Sequence, residues 1–295
     1  MQKDRLANLL HLHFIVFIWG FTAILGKLIT IDSIPLVWIR MGLAALFIFG
    51  YLRIKKIRWG IAREHLGWFF VGGIVVALHW VTFFWAIKVS TVSVALAMMS
   101  TGAFFTALME PFWFGRKLIG YEVVFGLIVV LGLYLIFRVE SKYVLGMGIA
   151  LVSAFLAAVF ALINGKLVRT YRPSIISFYE LGIGALFLTL LLALQGKLHW
   201  QLLTVAYTDG IYLLILALVC TAYAFIAAVK IMKVLTPYTV MLTTNLEPVY
   251  GILLAWFIFG ADEKMNALFY VGAGIILLTI IANAILKHRA NRIQD

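Results

Sequence analysis

Three polar or helix-breaking residues stand inside an apolar stretch that is long enough to cross a bilayer. Asn245, Glu247 and Pro248 lie near the centre of the run 235–260. A carboxylate at membrane depth is costly and is tolerated where it faces a bundle interior or a water-filled cavity. Pro248 lacks the N–H that would bond the Thr244 carbonyl, so it predicts a helix break. Glu247 could carry a proton, pair with a substrate ammonium, or bond to its own helix at this break.

His79 is a second ionisable group at predicted membrane depth. It shares one helix face with Thr82 and Phe83, which follow it by three and four residues. An imidazole titrates near neutral pH and could couple to protons. An interhelical hydrogen bond is the more common role of such a residue.

Arg40, Glu180 and Lys27 are candidates for gating or charge pairing. Arg40 could form an anion site, because a guanidinium binds a carboxylate through two parallel hydrogen bonds. The alternative is an outer salt bridge, for example with Asp32. Lys27 either marks a helix end and extends toward the interface, or contributes to a gate.

The composition is that of a membrane protein. Of 295 residues, 64% are hydrophobic and 12% are charged, against about half and a quarter in soluble domains. The net charge of +12 does not indicate a nucleic-acid partner, because the basic residues fall in short gaps between apolar runs. A single cysteine, Cys220, excludes an intramolecular disulfide. Without a Cys/His cluster of metal-ligand spacing, we expect neither metal nor cofactor.

The apolar runs predict ten membrane spans, since a bilayer core about 30 Å thick needs about 20 helical residues. The first run lacks a cleavage site and is interpreted as a retained span. The connections are short and leave no room for a soluble domain. The predicted spans are 12–31, 35–52, 66–87, 91–114, 120–138, 144–166, 174–194, 208–229, 236–259 and 267–286.

The distribution of basic residues predicts the orientation. If the N-terminus is cytoplasmic, most lysines and arginines between the spans are also cytoplasmic. The opposite segments hold only Lys88, Arg138, Lys142, Lys197 and Lys264. This positive-inside bias predicts that both termini are cytoplasmic and that the protein lies in the cytoplasmic (inner) membrane.

The two halves of the sequence resemble each other at an offset of about 140–145 residues. Gly26-Lys27-Leu28 matches Gly165-Lys166-Leu167, and Arg40 is the counterpart of Glu180. Because each unit has five spans, the second must enter the membrane from the opposite face, which makes the repeat inverted. The predicted fold is an all-α integral membrane protein of ten transmembrane helices in two inverted five-helix repeats, 1–138 and 139–295.

Four short motifs occur in order along these spans: Trp19-Gly20, Ala86-Ile87-Lys88, Asn245-Leu246-Glu247-Pro248, and Phe259-Gly260. Together with the ten spans they resemble the EamA-type branch of the drug/metabolite transporter superfamily. The resemblance covers essentially the whole chain. It implies a secondary transporter of small organic solutes, such as a metabolite, amino-acid or drug exporter, that works by alternating access around a central cavity. The fourth span departs from the pattern, because Gly102-Ala103 occupies the place of Glu247-Pro248.

The expected partners are a small-molecule substrate and the lipid bilayer. ATP-driven transport is disfavoured because the sequence has no GxxxxGK[ST] motif. An integral membrane enzyme is the main alternative, but the acidic residues are scattered without a catalytic cluster. A non-transporting scaffold would leave the polar residues at mid-depth without a role. Glycines in the fifth and tenth spans predict close packing and could support a homodimer. The predicted cavity-lining residues are Trp19, Thr22, His79, Phe83, Met98, Thr101, Asn164, Tyr223, Thr243, Asn245 and Glu247.

Overall fold

The computed structural model describes residues 2–115 and 120–294, and every regular element within these ranges is helical. Within these ranges, eight helical segments are long and apolar enough to cross a membrane: Leu6–Leu28, Ser33–Ile54, Arg63–Val89, Val92–Phe114, Ser141–Leu167, Pro173–Leu194, Tyr207–Ile231 and Pro237–Glu263. They coincide with eight of the ten predicted spans. The apolar stretches at the fifth and tenth positions, Val124–Arg138 and Ala267–Thr279, are shorter.

In the described part of the chain, these eight segments and the two shorter stretches comprise thirteen α-helices. Their bounds are α1 Gln2–Leu28, α2 Ser33–Ile54, α3 Leu66–Val89, α4 Val92–Met99, α5 Gly102–Phe114, α6 Gly120–Val139, α7 Val144–Leu167, α8 Pro173–Leu194, α9 Tyr207–Ala217, α10 Ala224–Ile231, α11 Pro237–Thr244, α12 Glu247–Phe259 and α13 Ala267–Gln294. A π-helical turn, Leu218–Tyr223, joins α9 to α10.

The fourth and ninth spans are each broken in the middle. One break falls at residues 100–101, between α4 and α5, and the other at residues 245–246, between α11 and α12. These positions are equivalent at an offset of 145 residues. Pro248 lies in the first turn of α12, whereas the first break has no proline, so a span of this fold can break without one.

Hydroxyl groups bond the carbonyls at the first break. Ser100 Oγ donates to the Ala97 carbonyl at 2.6 Å, and Thr101 Oγ1 donates to the Met98 carbonyl at 2.7 Å. Inside lipid each backbone group needs a partner within the protein. The Ser100 hydroxyl supplies one to Ala97, and the Thr101 hydroxyl adds a second bond to the Met98 carbonyl, which also accepts from the Thr101 amide at 3.1 Å.

Glycines let α3 approach α8 closely. A Cβ atom at Gly73 would lie 2.8 Å from the Glu180 carbonyl oxygen and 2.8 Å from Ile183 Cβ. A Cβ at Gly72 would overlap the Glu180 carboxylate. Small residues at helix contacts are typical of membrane bundles, where packing contacts drive helix association.

Glycines also bring α6 and α13 together within the chain. A Cβ at Gly132 would lie 2.9 Å from the Gly272 carbonyl oxygen, and a Cβ at Gly272 would lie 2.8 Å from the Gly132 carbonyl oxygen. These glycines of the fifth and tenth predicted spans therefore serve an intramolecular contact. The homodimer stays a prediction.

Candidate functional site

A cavity of about 110 Å³ lies between the two halves of the chain. Helices α1 to α4 line it on one side, and α7, α10, α11 and the start of α12 line it on the other. The lining includes Met232 and Val240, where α10 ends and α11 begins, so the cavity extends toward that end of the bundle.

Eight residues singled out from the sequence line this cavity: Trp19, Thr22, Arg40, His79, Phe83, Asn245, Glu247 and Pro248. Residues far apart in the sequence are thus brought to one place by the packing of the two halves.

Five residues predicted to line the cavity lie elsewhere. Met98 and Thr101 are fully buried in the packing around the first helix break. Thr243 Oγ1 donates to the Thr239 carbonyl at 3.0 Å. Tyr223 is 44% exposed, and its hydroxyl lies 2.8 Å from His11 Nε2. The fifth, Asn164, bonds to a buried carboxylate.

Asn164 and Glu180 form a pair between α7 and α8. Asn164 Nδ2 donates to both carboxylate oxygens of Glu180 at 3.2 Å, and both residues are fully buried. In the described part of the chain no salt bridge involves Glu180. Neither residue lines the cavity. Glu180 therefore differs from Arg40, its equivalent in the first repeat, which does line it.

Several lining residues were missed by the sequence analysis. Met99 and Thr244 line the cavity in place of their neighbours Met98 and Thr243, and Cys220 lines it where Tyr223 was predicted. A helix rotates by about 100° per residue, so a one-residue error moves a side chain away from the cavity. The π-helical turn at Leu218–Tyr223 adds a shift that periodicity does not reveal.

Arg40 is the deepest charged group of the cavity wall, with only 2% of its surface exposed. Its Nε donates to Thr221 Oγ1, and its guanidinium carbon lies 3.9 Å from the Trp80 ring centroid. Its Nη1 has no hydrogen-bond partner among the described residues. The predicted alternative, a salt bridge to Asp32, does not form.

The π-helical turn positions the acceptor for Arg40. Thr221 Oγ1 donates to the carbonyl of Leu216, five residues earlier, at 2.7 Å. Because this hydroxyl hydrogen is used by Leu216, the oxygen presents its lone pairs to Arg40. Helix α9, the turn and α2 together fix the guanidinium.

His79 joins α3 to α7. The Ser153 hydroxyl donates to the His79 carbonyl at 2.8 Å, and His79 Nδ1 lies 2.8 Å from Ser153 Oγ and 3.0 Å from the Ser153 carbonyl oxygen. A carbonyl only accepts, so these partners assign the proton to Nδ1. In the neutral tautomer that carries this proton, Nε2 is the acceptor nitrogen.

Asn245 and Glu247 lie at the second helix break. Asn245 is 3% exposed, and its Nδ2 has no hydrogen-bond partner within residues 2–115 and 120–294. Glu247 is partly buried and is the first residue of α12, where the helix dipole favours a carboxylate. Glu247 and Arg40 line the same cavity without a salt bridge between them.

Aromatic, thioether and aliphatic side chains form most of the remaining wall. Phe160 and Phe225 stack with ring centroids 5.2 Å apart. Trp19 Nε1 donates to the Cys220 carbonyl at 3.3 Å, which leaves its ring as an apolar surface. Met99 and Met241 add flexible contacts. The wall therefore suits an organic body, with charged groups placed at defined points.

A buried carboxylate closes one end of the bundle. Glu263 is fully buried and accepts hydrogen bonds from Lys27 Nζ at 2.8 Å, from the Ser93 amide and hydroxyl at 2.9 and 2.8 Å, and from the Val92 amide at 3.0 Å. It thereby ties α1 to the start of α4. We call the end of the bundle that carries Lys27, Ser93 and Glu263 the Lys27 face. The sequence analysis included Lys27 as a gating candidate but did not single out Glu263.

Two further contacts reinforce the Lys27 face. The buried carboxylate of Asp209, in the first turn of α9, accepts from Thr30 Oγ1 at 2.6 Å and from the Thr30 amide at 3.2 Å. Lys88 Nζ donates to the Ile29 carbonyl at 3.0 Å. The Asp209 contact joins the two halves of the chain, the Lys88 contact lies within the first half, and both lie at the end of the bundle opposite Met232.

An all-helical membrane bundle whose two halves enclose a cavity of mixed polarity is the architecture expected of a multi-pass membrane transporter. A sequence profile of the EamA-like transporter family matches residues 9–138 and 144–285, and the chain belongs to that family. This confirms the resemblance stated from the sequence.

Two individual proteins are similar to this chain. An uncharacterized transporter of Clostridium kluyveri is 23% identical over 257 residues, which span 82% of this chain and 79% of that protein. A crystal structure of a protein that is 15% identical superposes with a TM-score of 0.67 and covers 96% of this chain and 99% of its own. At this identity the structural similarity shows the fold alone.

Proposed function

We propose that this protein is a secondary transporter that moves a small organic solute, such as a metabolite, an amino acid or a drug, out of the cell by alternating access. The observation that carries the proposal is the cavity between the two halves. Its wall combines Arg40, His79 and Glu247 with aromatic surface. Ionisable groups that face a cavity at membrane depth are typical of substrate pathways.

The proposed topology has ten spans in two inverted repeats with both termini cytoplasmic. The family profile matches the two halves separately, at 9–138 and 144–285, and equivalent spans break at equivalent positions. Five spans in each half require opposite entry sides. In this topology α6 and the apolar part of α13 cross the membrane beside each other.

The two ends of the bundle support alternating access. Charged contacts close the Lys27 face, whereas the cavity extends toward the opposite end, at Met232 and Val240. With cytoplasmic termini, this arrangement is the inward-facing state, closed on the outside. Transport then requires the contacts of the Lys27 face to open while the inner ends of α10 and α11 close.

Export from proteoliposomes tests this proposal. Vesicles containing the purified protein are loaded with a defined mixture of amino acids, monocarboxylates and nucleosides, without ATP. We expect at least one compound to leave faster than from protein-free vesicles. An enzyme would convert a compound without moving it, and a scaffold would do neither, so the absence of protein-dependent efflux would contradict the proposal.

A further inference from the structure

We propose that the cavity binds the carboxylate group of its solute at Arg40 and Asn245. The inference rests on the proposed transport function and names the class of solute: a small organic carboxylate with an apolar body. It assigns the deepest part of the cavity to the acidic end of the solute.

Two unused nitrogen donors of the cavity wall carry the argument. Arg40 Nη1 and Asn245 Nδ2 are both buried, and both are without a partner among the residues that the structure describes. Both atoms carry hydrogen and only donate. Buried donors without a partner are costly, so groups of this kind are expected to be satisfied by a ligand or water. The matching ligand atom is an acceptor oxygen.

The other contacts of Arg40 hold the guanidinium in one orientation and leave Nη1 without a partner among the described residues. Its Nε is held by Thr221 and its flat face lies on Trp80, so the guanidinium is fixed before any solute arrives. A guanidinium held in one orientation loses little freedom on binding and favours a planar carboxylate. A charged acceptor matches Arg40 better than a neutral carbonyl in a cavity screened from water.

The other titratable groups of the cavity leave this role to Arg40. His79 uses Nδ1 to bind Ser153, and Cys220 is a buried thiol. Glu247, in its ionised form, repels a carboxylate and can pair with an ammonium group. The solute is therefore either a plain carboxylate or a zwitterion whose ammonium lies near Glu247, and the carboxylate contact with Arg40 is common to both.

The body of the solute is apolar. Away from Arg40 and Glu247, the lining is dominated by aromatic, methionine and aliphatic side chains, including Phe83, Phe160 and Phe225. The cavity of about 110 Å³ is large enough for several water-sized groups. We therefore expect a compact ring or branched chain next to the carboxylate.

Binding of matched probes tests the proposal. The purified protein in lipid nanodiscs is titrated at neutral pH with 3-cyclohexylpropionate, its uncharged amide 3-cyclohexylpropionamide, and 3-cyclohexylpropylamine. The fluorescence of the tryptophans, two of which (Trp19 and Trp80) line the cavity, reports binding. We expect the carboxylate to bind at least about tenfold more tightly than the amide, because charge-assisted hydrogen bonds are the stronger ones. Equal binding, tighter binding of the amine, or no binding of the carboxylate at millimolar concentration would overturn the proposal.

Two variants locate the contact. Arg40→Gln should remove the preference for the carboxylate over the amide, whereas Arg53→Gln, which changes an exposed arginine of the same helix, should keep it. Asn245→Asp replaces a donor by an acceptor of equal size and remains informative if Arg40→Gln does not fold. It should weaken carboxylate binding by at least about tenfold and leave amide binding within about twofold. Asn266→Asp, at an exposed position, is its control.

A fourth probe separates the two kinds of carboxylate. Cyclohexylalanine has the same skeleton with an added ammonium group. If cyclohexylalanine binds more tightly than 3-cyclohexylpropionate, and Glu247→Gln removes this difference, the solute is a zwitterion. If cyclohexylalanine binds more weakly, the solute is a plain carboxylate. Both results support the carboxylate site. If Arg40→Gln and Asn245→Asp fold and bind 3-cyclohexylpropionate as the parent does, the inference is wrong. Solute efflux from proteoliposomes remains a separate measurement, so this failure is distinguishable from the absence of transport.

Discussion

Arg40 and Glu247 bring a guanidinium and a carboxyl group into one cavity without a salt bridge between them. Each group therefore remains available to a solute. Electrostatic contacts are stronger in a cavity screened from water than at the surface. The pair can accordingly select a solute by the placement of its charges, while the aromatic wall accommodates its body.

We predict that Glu247→Gln reduces transport by at least about tenfold and changes its pH dependence, because it removes a group that can exchange a proton or pair with an ammonium. The other titratable or charged groups in the cavity are Arg40, His79 and Cys220. Initial efflux rates measured from acidic to mildly alkaline pH check this. Glu64→Gln, which alters an exposed carboxylate, is the control. Unchanged rates across pH would show that Glu247 has only a structural role at the helix break.

The sequence identified the ionisable residues of the cavity correctly, but it did not give the rotation of every helix. Arg40, His79 and Glu247 were singled out because an ionisable group at membrane depth is energetically costly and is therefore usually functional. All three line the cavity. Met98 and Thr243 were chosen one position away from the lining residues Met99 and Thr244. Membrane helices are apolar all round, so the sequence carries little information about helix rotation.

At the level of elements, close contact between α3 and α8 depends on glycine. We predict that Gly73→Ala lowers the free energy of unfolding by about 1–3 kcal/mol, because its Cβ would overlap the backbone of α8. Gly42→Ala in α2 is the matched control, since no atom lies within 4 Å of its added Cβ. It should leave stability unchanged or raise it by up to about 1 kcal/mol. Unfolding in mixed micelles measures both, and equal stabilities would contradict this account of the contact.

The two broken spans are equivalent in position but differ in chemistry. A break at Pro248 could be predicted from the missing N–H. The break at Ser100 and Thr101 could not, because it depends on side-chain hydroxyls that bond carbonyls only three residues earlier. A carboxyl group is thus present at the break of the second half only. Gly102 occupies the equivalent position in the first half.

We predict that transplanting the second break into the first, as Gly102→Glu with Ala103→Pro, abolishes most transport. A Cβ at residue 102 would lie 2.8 Å from Met241 Cε, and Ala103 is 1% exposed. Overpacking at such a site costs about 1–3 kcal/mol, and the new carboxylate would lie in tightly packed surroundings. Efflux from proteoliposomes is the measurement. Adding Met241→Ala should recover part of the folded yield, and a transplanted variant with full transport would show that the difference between the breaks is incidental.

At the level of the whole molecule, the two halves meet at a closed face and an extended cavity. The sequence predicted the family, the apolar spans and the repeat pattern from length, charge and periodicity. It did not predict the partner of Lys27, because Glu263 lies in a short turn after the ninth span and reaches α1 and α4 only through the packing of both halves. Contacts of this kind depend on tertiary structure.

We expect the hydrogen bonds and the ion pair of Glu263 to keep the Lys27 face closed. Glu263→Gln removes the charge that holds Lys27 and the start of α4, so the equilibrium should shift toward the state open at that face. The reporter is Thr22→Cys in the cavity wall, in a Cys220→Ser background. It should then react with a membrane-impermeant maleimide applied from the Lys27 face at least about tenfold faster, because a charge pair with one fully buried partner no longer holds that face closed. Glu64→Gln, at an exposed carboxylate in the turn before α3, should leave the rate unchanged. An equal rate in Glu263→Gln would show that the closure depends on packing alone, and that Lys27 only anchors the end of its helix.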